Sequence, residues 1–600
     1  MSTAEVGMHR PVAVRARHWR LYRMRLAAGD AGAHNPPLAA SPRDPDGRGV
    51  ILNSKTLWAG MLSAACALTG CGGDSSSTPP PPTVNPPPAP APPPVNLPPL
   101  TSDTEIRVSA DSTFAAGCST GAGTEYRNAE VEPQVAINPL DSGNLIINWQ
   151  QDRWSAGGAS GVVAAVTTDG GVSWTRAPLP ASRCGGGNAG NGGDYARATD
   201  PWVTFGPTGV AYQMALAFNG GSLQPGSVSA MLVSRSTDGG RSWGPLTPLI
   251  VSDSNFFNDK NSITADPTDA RFVYAVWDRL ALAGGGPTLL ARTTDGGSTW
   301  EAATVIYDPG PRSQTIGNQI VVLPNGTLVN VFTQIDPGAN GTLAASIRVI
   351  RSTDRGVSWS APVKVNDLLA VGARDPVTRL PIRDGSIIPE IAVAPNGNVL
   401  VVWQDARFSG GTFDGIALSR STDGGSTWSA PLQVNSARSV AAFTPTVRAR
   451  ADGTIGVSYY DLRSDTADTA TLPTDLMLAR STDLQTWTEV RLTPTFDLAT
   501  APQAGGYFLG DYFGLAASGN VFVPVYVRTT GSSTNRTDVY LQFARSIATA
   551  AATGVATRQA SARTAPPVDE ATRVRASDNL ARVMERRLPG WTRWREQTTR

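Results

Sequence analysis

Histidine is almost missing from this chain of 600 residues: it occurs three times, at His9, His18 and His34. All three precede the apolar stretch from Lys55 to Cys71, which has the short basic start and brief apolar core of an export signal. The exported part therefore has none, which excludes a Ser-His-Asp or Cys-His triad and any histidine-ligated zinc or copper centre. Cysteine is scarce too, with four copies. Cys66 and Cys71 belong to the signal. Cys118 and Cys184 remain as an even pair in an exported domain, where a disulfide is the expected state. The apolar core of the signal is too short to span a bilayer. No glycine-rich phosphate loop joins a strand to a helix, so nucleotide chemistry has no footing. Residues 71–546 carry 31 Arg and Lys against 40 Asp and Glu, and this acidity argues against a nucleic-acid partner. What is left is carboxylate, arginine and tyrosine chemistry, the set used on sugars. No metal and no cofactor is expected.

Against these absences stands a repeat. Six stretches are nearly identical: Thr167-Thr-Asp-Gly-Gly-Val-Ser-Trp174, then the segments Ser236–Trp243, Thr293–Trp300, Ser352–Trp359, Ser421–Trp428 and Ser481–Trp487. Their aspartates are 57 to 69 residues apart. A unit of that length is the signature of a propeller or solenoid. Each stretch has the chemistry of a tight hairpin turn. The Asp accepts from backbone N–H groups just ahead, the glycines supply positive φ, and the Trp is a large apolar body for the space between sheets. Alternating apolar residues on both sides read as strand–turn–strand.

A second motif precedes each turn: Pro133-Gln-Val-Ala-Ile-Asn-Pro, with counterparts starting at Pro201, Asn261, Asn318, Pro389 and Pro445. The order is inner strand, second strand, third strand, turn and outer strand, one four-stranded blade. A further copy from Gly510 to Ala544 has three strands and no turn motif. Glu105–Ser109 resembles the outer strands and is the expected fourth, closing the ring and leaving no open edge. The expected fold is all-β, a seven-bladed β-propeller over residues 101–546. The turn motif resembles the Asp-box of the sialidase superfamily. Five copies match in full; the one at Ser481–Trp487 is a residue short. The enzymes of that family are six-bladed, so six blades is the alternative, and the resemblance implies that the boxes are structural and lie opposite the active site.

The two ends read differently. Residues 1–49 are Arg-rich, lack periodicity and are expected to be a non-native extension or disordered. Residues 50–70 are the signal, and Leu68-Thr-Gly-Cys71 resembles a bacterial lipobox. That resemblance implies lipidation at Cys71, and Gly72 in place of Asp suits sorting to the outer membrane. Residues 71–100 hold a Pro-rich run that favours extended polyproline II and acts as a spacer. Residues 547–600 carry ten Arg against five acidic residues. They read as a basic, mostly disordered tail, with an amphipathic helix over Val568–Leu588 as the alternative, its face formed by Val574, Leu580, Val583 and Met584.

Candidate site residues cluster at one point of the blade. The second strand ends in Trp149-Gln-Gln-Asp-Arg153, Trp277-Asp-Arg279, Trp403-Gln-Asp-Ala-Arg407, Tyr459-Tyr-Asp-Leu-Arg463 and Tyr526-Val-Arg528. These loops share one mouth with the inner-strand entries, which add Arg127, Glu130, Glu132, Asp194, Asp200, Asp259, Glu390 and Asp511, with Tyr512 nearby. Two readings stay open: each Asp–Arg pair ties its blade to the next, or the central members bind an anionic sugar. Sialidases hold a substrate carboxylate with three arginines, use an Asp as acid/base and attack with a Tyr activated by a Glu. The resemblance implies Arg127, Arg153, Arg279, Arg407, Arg463 and Arg528 for binding, and Asp405, Asp461, Tyr512 and Glu390 for catalysis. The family's Arg-Ile-Pro motif has no counterpart; Arg127-Asn-Ala-Glu is the nearest segment. The expected function is an exported, lipid-anchored, sialidase-like glycosidase or lyase, and the alternative is a non-catalytic propeller that binds glycan or an envelope protein. A monomer is expected. Cys71→Ala is expected to release the protein from the membrane fraction or to block its processing, as read by fractionation; unchanged membrane association contradicts the lipid anchor.

Overall fold

The computed structural model describes residue 97 and residues 100–338, 341–546 and 558–587. The signal, Cys71 and nearly all of the Pro-rich stretch lie outside the described residues. The chain is all-β apart from short 3-10 turns and, among the described residues, one α-helix at Glu570–Arg587. Its strands form successive antiparallel meanders of inner, second, third and outer strand. The first comprises Val131–Asn138, Asp141–Trp154, Ala159–Thr167 and Thr175–Leu179. Later meanders begin at Arg197–Phe205, Phe256–Ala265, Gln314–Val322, Glu390–Val393, Ala442–Ala449 and Gly514–Ser518. The last has three strands of its own, and Ile106–Arg107 pairs with its strand Thr537–Leu541 through Ile106 on Leu541 and Arg107 on Tyr540. Leu100–Ser102 adds a second seam along Ala544–Ser546. Each inner strand lies against the next in chain order, and the last, Gly514–Ser518, lies against the first.

Tryptophans anchor the sheets. Trp149, Trp277 and Trp403 sit near the ends of second strands and are fully buried. Each indole N–H finds an acceptor: Gln151 at 2.9 Å, Asn258 at 3.0 Å and Asp405 at 2.7 Å. A buried Trp needs that partner, because an unpaired donor costs its full desolvation.

The repeated turns have one geometry. Thr167 donates through Oγ1 to Asp169 at 2.7 Å and accepts from the N–H of Gly171 at 3.0 Å, while Ser173 N–H donates to Asp169 at 2.9 Å. The same bonds recur around Asp238, Asp295, Asp354 and Asp423. Gly170 and Gly171 take φ of 72° and 92°, which glycine adopts without strain. Arg355 replaces the first glycine at Asp354 and accepts φ of 60°. The closing tryptophans are half-buried, except Trp487 at 1% exposure.

The C-terminal region departs from the disordered tail expected for 547–600. Arg558–Ser561 extends one outer strand and Arg563–Thr564 another. Helix Glu570–Arg587 follows, capped by Asp569, which accepts from Thr572 N–H at 2.8 Å. It buries Leu580, Val583 and Met584 in the core that holds Leu343, Ile387 and Phe408, and Ala576 is buried too. Val574 is 47% exposed, against expectation. Six residues make about 1.7 turns, so Val574 and Leu580 cannot share a face.

The hydroxyl that ends each turn, seconded by its backbone N–H, holds Asp169, Asp295 and Asp354 down to about 2. Because these folded values lie below the ordinary carboxylate value of about 3.9, the turns stabilise the fold above that pH. The contribution is lost as pH falls toward 2. A melting temperature measured from neutral pH downward should therefore drop across this window; a flat profile would mean that the turns contribute nothing.

Candidate active site

The site begins with a backbone irregularity that five of the inner strands share. Their pairing shifts register between Val131 and Gln134, Thr199 and Trp202, Asp259 and Ser262, Ile316 and Gln319, and Phe443 and Thr446. The residue within each shift has positive φ: Glu132 at 54°, Asp200 at 51°, Lys260 at 44°, Gly317 at 70° and Thr444 at 50°. A bulge of this kind re-aims a side chain out of the strand's alternation. Lys260 consequently meets carboxylates from three other segments: Asp511 at 2.9 Å, Asp200 at 3.2 Å and Glu132 at 3.8 Å. Arg383 grips Asp511 with both arms of its fork, at 3.0 and 2.6 Å.

The electrostatics of this cluster divide its carboxyls. Burial pushes Glu132 up, against the pull of Lys260. It accepts from Asp511 N–H at 3.1 Å and from the Gln150 amide. Asp511 is held well below the usual range by Arg383 and Lys260, which overcome an opposing desolvation. Lys260 also lowers Asp200, against its desolvation. One carboxyl raised by burial thus sits beside two that neighbouring cations hold down.

A cavity of about 310 Å³ opens beside the cluster. Six cationic side chains line it (Arg153, Arg197, Lys260, Arg383, Arg586 and Arg587), with three carboxylates, Asp200, Asp259 and Asp511. Leu216, Phe218, Phe257 and Ile316 give it an apolar wall. Phe508 supports the cationic side, with Arg153 4.7 Å and Arg383 4.3 Å from its ring centre. Arg197 lies over Trp154 at 4.1 Å and donates to the carbonyls of Gly157 and Ala122. The disulfide Cys118–Cys184, with Cα atoms 5.1 Å apart, fixes the rim segment that contains Thr120, Gly121 and Ala122. From the opposite side Arg587 bonds Asp259 at 3.0 Å and Asp278 at 2.5 Å.

Among the nominated binding and catalytic residues, Arg153 alone lines this cavity. Arg407 spends its fork on Asp405 at 2.8 Å and reaches Asn366 and the Asp367 carbonyl at the outer strand of the preceding meander. Arg463 is held by Asp461 and Glu489, and Arg528 by Glu105. Arg279 covers Phe256 at 4.2 Å, and Arg127 donates to the carbonyls of Ser112 and Phe114. Glu390, raised by burial to about 7, accepts from Gln319 at 2.9 Å. Tyr512 is buried, donates to the Pro201 carbonyl at 3.3 Å and packs on Trp202. Of the inner-strand entries, Glu132, Asp200, Asp259 and Asp511 do reach the cluster or the cavity.

Lys260, Arg197, Arg383, Arg586 and Arg587 were missed. A signal existed for Lys260. Glu132, Asp200, Lys260, Gly317 and Thr444 each stand immediately before the inner-strand motif, so its alignment marks the axial position. Arg383 lies in a non-repeating insertion and carries no such mark.

No family model matches the chain. A stretch of 204 residues is 28% identical to a xyloglucanase from Paenibacillus sp, covering 32% of this chain and 18% of that protein. The chain thus spans less than a fifth of that curated relative, 18% of its length. Among solved structures, a protein of unknown function from Dyadobacter fermentans aligns with a TM-score of 0.42 at 14% identity, over 75% of this chain and 99% of that one. The GH93 α-L-arabinofuranosidase of Fusarium graminearum aligns at 0.39 and 13% identity, over 60% of this chain and 92% of its own.

The Arg407–Asp405 pair generates its own test. Removing one partner strands a buried charge, so Arg407→Ala is expected to cost about 3–5 kcal/mol in denaturant unfolding. Arg407→Lys, which keeps the charge but loses the fork, should cost less. A ligand bound in the cavity should keep its affinity for the folded Arg407→Lys protein; a large loss of affinity would return Arg407 to the site.

Proposed function

We propose that the chain is an exported, lipid-anchored, seven-bladed Asp-box propeller of sialidase-like type that acts on glycans in the cavity beside Lys260. One observation carries this reading: inner strands from different meanders deliver Glu132, Asp200 and Lys260 to one point beside an apolar and cationic pocket. The cyclic contact of the inner strands supports the seven blades, and the turn geometry supports the Asp-box reading. The similar stretch in a xyloglucanase is a likeness to a glycan-acting protein. Glycoside hydrolysis needs one carboxyl that donates a proton and one that stays ionised. Here Glu132 stores the proton, which passes through Asp200 to the leaving-group oxygen as the anomeric C–O bond breaks; Asp511 stabilises positive charge at the anomeric carbon, and the attacking water returns its proton through Asp200 to Glu132. The aromatic wall receives the apolar face of the ring.

A non-catalytic glycan binder is the second reading. It is favoured by the ion pairs that already engage all three aspartates facing the cavity. The purified protein should be incubated with sialosides, uronides, arabinan and xyloglucan, with product release and binding measured together. Asp200→Asn and Asp511→Asn should lower turnover by about a hundredfold or more and leave a folded, glycan-binding protein. Binding without release by the wild type would select the second reading. Neither binding nor release across the panel would remove the glycan proposal.

A further inference from the structure

We infer that Arg587, at the end of the C-terminal helix Glu570–Arg587, is a positioning residue for the axial cluster: through Asp259 it fixes the backbone that carries Lys260. The inference goes beyond the glycan reading. It concerns how the cluster is assembled and stands whether or not the cavity turns over a sugar.

The pattern of the helix puts an arginine where an apolar residue belongs. Leu580, Val583 and Met584 form its buried stripe, and the next position on that stripe, seven residues after Leu580, is Arg587. Its side chain is 9% exposed. A charge on such a stripe needs partners, and it has two. Asp259 and Asp278 stand directly opposite each other on neighbouring strands, with side chains 14% and 1% exposed. Like charges in that register repel. Among the described residues, the one ion pair that either makes is with Arg587. The arginine meets Asp259 through Nε at 3.1 Å and NH2 at 3.0 Å, and Asp278 through NH2 at 2.5 Å. Burial pushes the Asp278 carboxyl up, and Arg587 pulls it back against the charge of Asp259. The β-domain thus presents an unbalanced pair, and the helix supplies its bridge.

The bridge reaches the cluster through the two oxygens of one carboxylate. Asp259 Oδ2 is taken by Arg587, and Oδ1 accepts the backbone N–H of Lys260 at 3.0 Å. That N–H lies in the bulge, where pairing shifts register between Asp259 and Ser262 and Lys260 takes φ of 44°. A non-glycine residue persists in such a backbone only when its surroundings hold it there. Arg587 supplies the hold: with its carboxylate gripped by the fork, Asp259 cannot rotate away from the bulge. The Lys260 ammonium then keeps to Asp511 at 2.9 Å and Asp200 at 3.2 Å. Earlier on the helix, Ser577 accepts from Leu343 N–H at 2.8 Å and Asn579 donates to the Ala370 carbonyl at 3.2 Å, which sets the reach of Arg587.

The test follows amide hydrogen exchange, peptide by peptide, in the full chain. Arg587→Met continues the apolar stripe and keeps the helix docked while removing the fork. A peptide over residues 257–262 should then exchange about tenfold faster or more, the worth of a lost charge-assisted bond. The helix and the seam strand Thr537–Leu541 should keep their wild-type rates. Asp259→Ala should give the same increase, and the two changes together no further one, because they remove one path. Arg587→Ala leaves space at the carboxylates, so guanidinium ion far below denaturing concentration should restore slow exchange. It should fail to do so once Asp259 is also changed to Ala. Arg575→Ala removes a different anchor of the helix, a bond to the Gly410 carbonyl, and should leave the 257–262 peptide unchanged. Wild-type exchange of that peptide in Arg587→Met, additive effects of the two changes, no rescue by guanidinium, or an equal rise in Arg575→Ala would each overturn the inference. So would faster exchange confined to the helix, the mark of an arginine that only holds the helix down, or spread over the whole domain.

Discussion

The seam between the two ends of the β-domain is the constraint on which the site depends. Ile106–Arg107 completes the sheet of Thr537–Leu541, and Ser109 donates to Asp538 at 3.0 Å across a sequence separation of 429. Glu105 adds the charge partner of Arg528 at this seam. Without it the inner strand after Asp511 has no reason to lie against the one that carries Glu132. The backbone bond from Asp511 to Glu132, and the lysine they share, exist only because the first and last meanders are neighbours. The pairing of Ile106–Arg107 also covers an edge of Thr537–Leu541 that would otherwise stand open.

Around that seam the protein tolerates local cost for local chemistry. Glu132, Asp200, Lys260 and Thr444 are non-glycine residues with positive φ, and such positions cost about 1–3 kcal/mol each. They persist because flanking strands fix the backbone on both sides. Burying Lys260 with its carboxylates is also expensive, and a buried ion cluster is poor evidence of added stability. Strain and buried charge recurring at one axial point indicate a position kept for chemistry. The Asp405–Arg407 and Asp461–Arg463 pairs are different: each lies within one sheet or at its junction with the next, and neither lines the cavity beside Lys260.

The C-terminal helix changes the character of this point. Ten arginines against five acidic residues in 547–600 suggest a solvated basic tail. Packing decides otherwise, because Leu580, Val583 and Met584 fill a hydrophobic surface left between meanders. Once the helix is docked, its last two arginines add positive charge to a rim that the disulfide fixes from the other side.

The sequence by itself determined the repeating unit, the turns, the strand order and the one cysteine pair. These are local properties: a period-two apolar pattern, an Asp with hydroxyls at fixed offsets, and glycines where φ is positive. Five of the six copies of the inner-strand motif are also preceded by a residue that takes positive φ: Glu132, Asp200, Lys260, Gly317 and Thr444. Tertiary structure alone decided which charged residues meet. Every second strand that ends in Asp and Arg looks equivalent in sequence, yet Asp405–Arg407 and Asp461–Arg463 close on themselves while Arg153 lies over Phe508 and Asp278 pairs with Arg587. The pairs that reach the cavity are set by contacts between distant segments, such as Arg383 with Asp511 across 128 residues. No local pattern encodes such a distance. The helix followed the same rule: its period was legible, but its face and its place beside the cavity came from the surface it had to cover.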